Sequence, residues 1–314
     1  MRKFVMAWAI GVAACSVQAN TPYSIVVPFV PGGASDAYAR TVAKELQQEL
    51  GVPFVVENKP GAGGSVGAAG FAKLPKTTRS LFLGTISTHA INPHLYKDIS
   101  YNARTDFQPV AMVLSLPNML AVNANTAIRS VADLADEGKR RNLSFGSAGT
   151  GSSAHLSAEV MVLDSGGMRA THIPYKGATP ANMDLIGGQI DFVFDNISSV
   201  LPLVKSGKLR GLAVTSKERS HQAPEVPTMH ESGFKDYEVI SWFGFWLPKD
   251  SDPQNVQTIA AALQKVYAKP AFIAQIRASG ATPVLKTGNE FEQFLTAEQN
   301  RWGELVRKLG IRIE

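Results

Sequence analysis

Two short runs of this sequence combine glycine, hydroxyls and a helix start in the way an anion site requires. The first is Pro31-Gly32-Gly33-Ala34-Ser35-Asp36, which follows an apolar run ending at Phe29 and precedes a helical stretch. A helix leaves its first N–H groups unpaired, its dipole places partial positive charge there, and glycine lets a ligand approach the backbone closely. The second run, "SFGSAGTGSSAH" over residues 144–155, again sets small residues and hydroxyls between a strand and a helix start. Two such ends, one in each half of the chain and facing across a cleft, suit a ligand with carboxylates. Taken alone, the first run also reads as a Gly-Gly turn with Ser35 as N-cap and Asp36 favouring the dipole.

Other chemistries fit less well. Gly149-Thr150-Gly151 lacks the Gly-Lys-Ser/Thr ending of a phosphate-binding loop, and the Gly61 to Gly67 run does not keep the dinucleotide glycine spacing. Gly63, Gly64, Gly67 and Gly70 instead give a helix a small face for close packing. Gly151-Ser152-Ser153-Ala154-His155 has histidine where a nucleophile elbow needs its last glycine, and Ser153 and His155, two apart on a helix, diverge. The six histidines, at 89, 94, 155, 172, 221 and 230, show no metal-ligand spacing. No catalytic residue, metal or cofactor is expected.

Two further strand ends carry polar groups. "TISTHAINP", residues 85–93, leaves a strand with hydroxyls and an imidazole where α/β clefts open, so His89 either donates to a ligand or ties down its own loop. Asp195, at the end of "IDFVFDN", would repel a bare carboxylate. It either orders its loop or meets an ammonium or hydroxyl on the ligand.

These groups need a framework of strands and helices. Short β-branched runs alternate with helical stretches almost from end to end, which argues for sheets covered by helices. Residues 24–29, 53–57, 81–86, 143–145, 171–174, 191–194 and 209–215 read as strands. Residues 35–50 carry Tyr38, Val42, Leu46 and Leu50 on one helical stripe that Gly51 ends. Further helices are expected over residues 65–73, 153–163, 180–186, 256–267, 270–278 and 290–309. Two apolar stretches, residues 111–123 and 237–247, interrupt the alternation; they read either as paired crossovers that make the first lobe discontinuous or as ordinary core strands.

Arg2 and Lys3 followed by a short apolar run, residues 4–14, form an export signal. Val17-Gln18-Ala19 is the preferred cleavage site, and Val12-Ala13-Ala14-Cys15 is a rival that would leave a lipid-modified cysteine. Cys15 is the only cysteine, so the mature chain has no disulfide framework and no thiolate chemistry. Loss of two leader cations takes the formal charge from +5 to +3, too little and too dispersed for nucleic acid. No second apolar segment is long enough to span a membrane.

"VVPFVPGGASDAYAR", "GVPFVVENKPGAGGSVGA", "SFGSAGTGSSAHLSAE", "HIPYKGATPANMDLIGGQIDFVFDN", "SGKLRGLAVTSKER" and "PEVPTMHESG" occur in order along the mature chain. Together they resemble the tripartite tricarboxylate transporter substrate-binding receptors, or Bug receptors. The resemblance implies a periplasmic-binding-protein fold of type II kind: α/β, two-lobed, with a central cleft and two crossover segments. Residues 20–115 and 240–314 would form one lobe and residues 116–239 the other, after a signal peptide of residues 1–19. It also implies a periplasmic receptor that closes on a small organic carboxylate and delivers it to a membrane permease. We expect a non-enzymatic monomer, and a module that presents its ligand to a membrane kinase would share the same cleft.

Carried over from the family, Phe29 would wall the cleft and Gly33, Ala34 and Ser35 would supply the first-lobe loop. Ser147, Gly149, Thr150 and Ser153 would supply the second, with Thr88, His89 and Asp195 along the sides. Thr77-Thr78-Arg79 departs from the family's usual glycine- and aspartate-containing turn. Neither cleft loop contains an arginine, so shape and neutral hydrogen bonds are left to set specificity.

Overall fold

The computed structural model describes residues 21–313; the residues read as an export leader, with the cleavage expected near Ala19 and with Cys15, lie outside the described residues. In chain order the first part runs β1 (Tyr23–Val27), α1 (Ala34–Leu50), β2 (Phe54–Asn58), α2 (Ser65–Ala72), β3 (Ser80–Thr85) and α3 (Asn92–Leu95). A long strand, β4 (Phe107–Asn123), leads into α4 (Val131–Arg140), β5 (Leu143–Ser147), α5 (Ser153–Asp164), β6 (Ala170–Pro174) and α6 (Ala178–Ile186). After β7 (Phe192–Asn196), α7 (Ile197–Lys205) and β8 (Leu209–Val214), the chain returns along β9 (Ile240–Pro248). It finishes with α8 (Pro253–Tyr267), α9 (Pro270–Ala278), β10 (Thr282–Thr287) and α10 (Gly288–Leu309).

Local sequence explains the main elements. β1 is a nearly continuous apolar run because parallel β2 and β3 flank it, and a strand buried on both faces has no polar side to pattern. α1 buries Tyr38, Val42 and Leu46 on one stripe and ends where Gly51 takes a left-handed φ of 65°. α4 starts on a reciprocal cap between Ser130 and Asp133.

The strand order is β2-β1-β3-β9-β4-β7-β5-β6, with β8 and β10 also paired to β4. β4 joins the two halves of this curled sheet. Its start, from Phe107 to Pro117, pairs antiparallel with β9, and its end, from Asn118 to Val122, pairs with β7. The first apolar stretch of the sequence therefore lies in β4 and most of the second in β9, and the two run side by side as crossovers. Register shifts fall at Pro109 to Ala111, where a residue without an N–H can sit in a strand that bends, and at Met112 to Leu114.

Behind the crossovers, α10 anchors β9. Trp242 and Trp302 are buried, and both indole N–H groups donate to Glu298 Oε2, at 2.7 and 3.3 Å. Each buried aromatic ring contributes on the order of 2 kcal/mol through the apolar area it removes from water. The result is a rigid back wall, with the carboxyl ends of β1, β3, β5 and β7 opening on the other side.

Candidate functional site

Those four strand ends converge on one cavity. Its lining includes Phe29, Gly33, Ala34 and Ser35 after β1, Thr85 and Ser87 at β3, Ser152, Ser153 and Ala154 after β5, and Asp195 and Asn196 at β7. Ala178 from α6 and Ser241 and Phe243 from β9 complete much of the wall. The space between its walls, mouth included, is about 470 Å³, room for a small guest.

Four helices begin at this cavity: α1, α5, α6 and α7 contribute Ala34, Ser153, Ala178 and the N-cap residue Asn196. In α1 the first helical bond runs from Ala37 N–H to Gly33 O, so the N–H groups of Ser35 and Asp36 have no helical acceptor. In α5, His155 N–H donates to Ser152 Oγ and Leu156 N–H to Ser152 O, which leaves those of Ser153 and Ala154 in the same state. Dipoles of four helices then add positive potential in a space with no cationic side chain on its walls.

The side chain of Asp36 ties the first loop. Its carboxylate accepts from Gly32 N–H at 3.0 Å, from Arg40 at 2.9 and 3.0 Å and from Asn58 at 3.0 Å. Burial raises its pKa, but Arg40 and these donors outweigh that and hold it below the usual carboxylate range.

Asp195 has the opposite environment. It is 6% exposed and accepts from Asn182 Nδ2 at 2.8 Å and Asn196 N–H at 2.7 Å. Burial pushes its carboxyl up to about 6, only partly offset by those two donors. Thr85 adds a second uncompensated group, a buried Oγ1 with no hydrogen-bond partner.

Phe29, Gly33, Ala34, Ser35, Ser153 and Asp195 thus share the cavity, and five residues named from the sequence do not. Thr88 and His89 belong to a π-helical turn, Ser87–Ile91, whose wider winding turns them into the core. Thr88 Oγ1 accepts from Thr85 N–H and donates to Thr85 O. His89 is fully buried, stacks on Trp246 with ring centroids 3.8 Å apart, and is driven to about 3 by burial. It ties its own loop.

Ser147 lies beneath the second loop, where its hydroxyl accepts from Gly149 N–H at 3.1 Å and bonds His172 Nε2 at 2.7 Å. Gly149 and Thr150 face a different space, shared with Gly61, Ala62 and Gly63. Tyr96 Oη donates to Thr150 O there at 3.0 Å, and a β-carbon on Gly63 would overlap Thr150 O. These residues hold the loops against each other. His155 also turns from the cavity: Nδ1 accepts from Gly151 N–H at 3.3 Å and Nε2 lies 3.3 Å from Glu159.

Thr85, Ser87, Ser152, Ala178, Asn196, Ser241 and Phe243 line the cavity although the sequence reading does not select them. Thr85 and Ser87 belong to the polar run after β3 and compete there with Thr88 and His89. Ser241 and Phe243 carry no local signal, because only antiparallel pairing with β4 brings them here.

A family model for the tripartite tricarboxylate transporter family receptor matches residues 38–311. The protein BugT of Bordetella pertussis is 36% identical over 311 residues, covering 97% of this chain and 95% of its own. Among solved structures, the periplasmic binding protein BugD superposes with a TM-score of 0.89 at 32% identity, covering 93% of this chain and 99% of its own. A protein of R. palustris solved with adipate gives the same TM-score and identity, with 93% and 98% covered. MatC of Rhodopseudomonas palustris, solved with malate, follows at 0.84 and 27%, with 91% and 98% covered.

Fold and site together define a two-lobed α/β solute-binding receptor of the periplasmic-binding-protein kind. The chain belongs to the tripartite tricarboxylate transporter receptor family, the Bug receptors.

Proposed function

We propose that this chain is an exported, non-enzymatic receptor that closes on a small organic carboxylate and delivers it to the permease of a tripartite tricarboxylate transporter. One observation carries the ligand class: four helix N-termini open on a single cavity that has no cationic side chain on its walls. Main-chain N–H groups of Ser35, Asp36, Ser153 and Ala154 are the donors for the carboxylate. Each charge-assisted bond contributes about 1.5 to 3 kcal/mol, so three or four offset the cost of ordering a guest and reach micromolar affinity.

The lobes are residues 20–115 with 240–314, and residues 116–239. β4 changes partners from β9 to β7 at Pro117 to Asn118, which supports a hinge there. Adipate and malate in two solved neighbours support the carboxylate class. The family supports the periplasm and the permease, and a monomer suffices because one chain supplies both faces of the cavity.

Thermal-shift screening of the mature protein tests this with mono-, di- and tricarboxylates, amino acids and aromatic acids, each beside its methyl ester or amide. A guest at 100 times its Kd stabilises by about 2.7 kcal/mol, which shows as a raised Tm. At least one acid is expected to raise Tm where its neutral derivative does not. Equal shifts for acids and their neutral derivatives, or none for any acid, reject the reading.

A further inference from the structure

The cavity contains one ionisable side chain, and its sign opposes the guest. Asp195 is the only Asp, Glu, Lys, Arg, His or Tyr on the walls. Each of its oxygens accepts one hydrogen bond from the protein, Oδ2 from Asn182 and Oδ1 from Asn196 N–H. A carboxylate offers about four acceptor positions, so two are left. No cation bears on it among the described residues. Independently of Asp195, Thr85 places a buried, unpartnered hydroxyl oxygen in the same lining.

A guest that brings only hydrocarbon to this side would bury the carboxylate further with its acceptor positions empty. A guest that brings a second ionised carboxylate would set two like charges together at a carboxylate that is itself 6% exposed. A hydroxyl or ammonium group satisfies Asp195 as a donor, and a hydroxyl also accepts from Thr85.

We propose that Asp195 is a specificity-determining residue, and that the acids this receptor prefers bear a hydroxyl or ammonium donor on the carbon chain, which is bound by Asp195 while the carboxylate sits at the helix starts. This rests on the carboxylate-receptor reading above. Asn182 holds Asp195 in place, and its own Oδ1 is buried and unpartnered, so it can accept from an amide put in place of the carboxylate. Asp195→Asn is therefore an isosteric change that the surroundings can satisfy.

Calorimetry on the mature wild type and Asp195→Asn decides the matter with three matched sets: propionate, lactate and alanine; succinate, malate and aspartate; phenylacetate, mandelate and phenylglycine. In the set that binds, the hydroxy or amino acid is expected to bind wild type at least about tenfold more tightly than its parent, since a site built around a donor rejects the analogue lacking it. Hydroxy against amino acid tells which donor is used. Asp195→Asn is expected to remove that preference by weakening the donor-bearing acid and sparing the parent. A parent bound by wild type within that tenfold margin overturns the proposal and leaves the receptor reading standing, as does equal weakening of all three acids in the variant. Binding of none of the nine acids overturns the proposal, and the wider thermal-shift screen then decides the receptor reading by itself. Should the variant fail to fold, the wild-type ratios decide alone.

Discussion

Gly63 packs against the carbonyl of Thr150 so closely that a β-carbon on Gly63 would overlap that oxygen. The contact joins the loop before α2 to the loop before α5, and through them the two lobes. Gly63 also takes a φ of 57°, which L side chains rarely adopt.

Gly63→Ala should hold the lobes apart without touching the guest. The expected result is a loss of affinity of at least about tenfold, with a stability cost near ~1 kcal/mol from the left-handed backbone. Small-angle scattering with saturating ligand should show a larger radius of gyration than wild type. An unchanged Kd and radius would mean that closure does not depend on this contact.

Recognition by main-chain groups makes side-chain deletion mild and side-chain addition severe. A β-carbon at Gly33 would lie 3.8 Å from Ala178 Cβ, ordinary contact, and Gly33 φ is in the extended region. Gly33→Ala and Ser35→Ala should therefore cost only a few-fold in Kd, roughly one neutral hydrogen bond or less. Gly33→Val should cost at least about tenfold by filling the approach to the N–H groups. Isothermal calorimetry separates the three variants.

The sequence shows most of the frame where local signals and tertiary demands agree. α1 is legible from its stripe and Gly51. α7 is not, because Pro202 sits inside it and its strength comes from packing on β4 and β8. Residues that line the cavity are legible at Gly33, Ser35 and Ser153, where small residues sit between a strand and a helix. Thr88 and His89 mislead because one π-helical turn shifts which residues of a polar run meet the cavity. Register in a sheet assembled from distant strands decides Ser241 and Phe243, and no short window of sequence contains that information.

Asp195 gives the unliganded protein a pH dependence of known sign. Its folded pKa, about 6, lies above the ordinary aspartate value of 3.8, so its contribution to stability is full below the latter and lost as pH rises through about 6. No other titratable side chain lines the cavity. Asp195→Asn should gain on wild type by roughly 2 kcal/mol between about pH 4 and pH 8, because each pH step over which only the unfolded chain is ionised costs the wild type ~1.4 kcal/mol. Urea denaturation at the two values measures it, and a constant difference would contradict the burial argument.

His89 is expected to matter for stability and not for specificity. Burial lowers its pKa to about 3, so the stability of its neutral form is present above the ordinary imidazole range and lost as pH falls toward that value. His89→Ala removes a ring stacked on Trp246 and should cost about 3 kcal/mol, while the order of ligand affinities stays as in wild type. A changed order with unchanged stability would return His89 to the binding site.

The central claim is that main-chain N–H groups at the starts of α1 and α5 hold the carboxylate. A crystal structure of the mature protein with its tightest-binding acid tests it most directly. The account predicts a carboxylate oxygen within hydrogen-bond reach, directly or through one water, of the N–H of Ser35 or Asp36, and another served likewise by Ser153 or Ala154. A carboxylate bound by an arginine or lysine elsewhere, with those four N–H groups left without a guest, would contradict it.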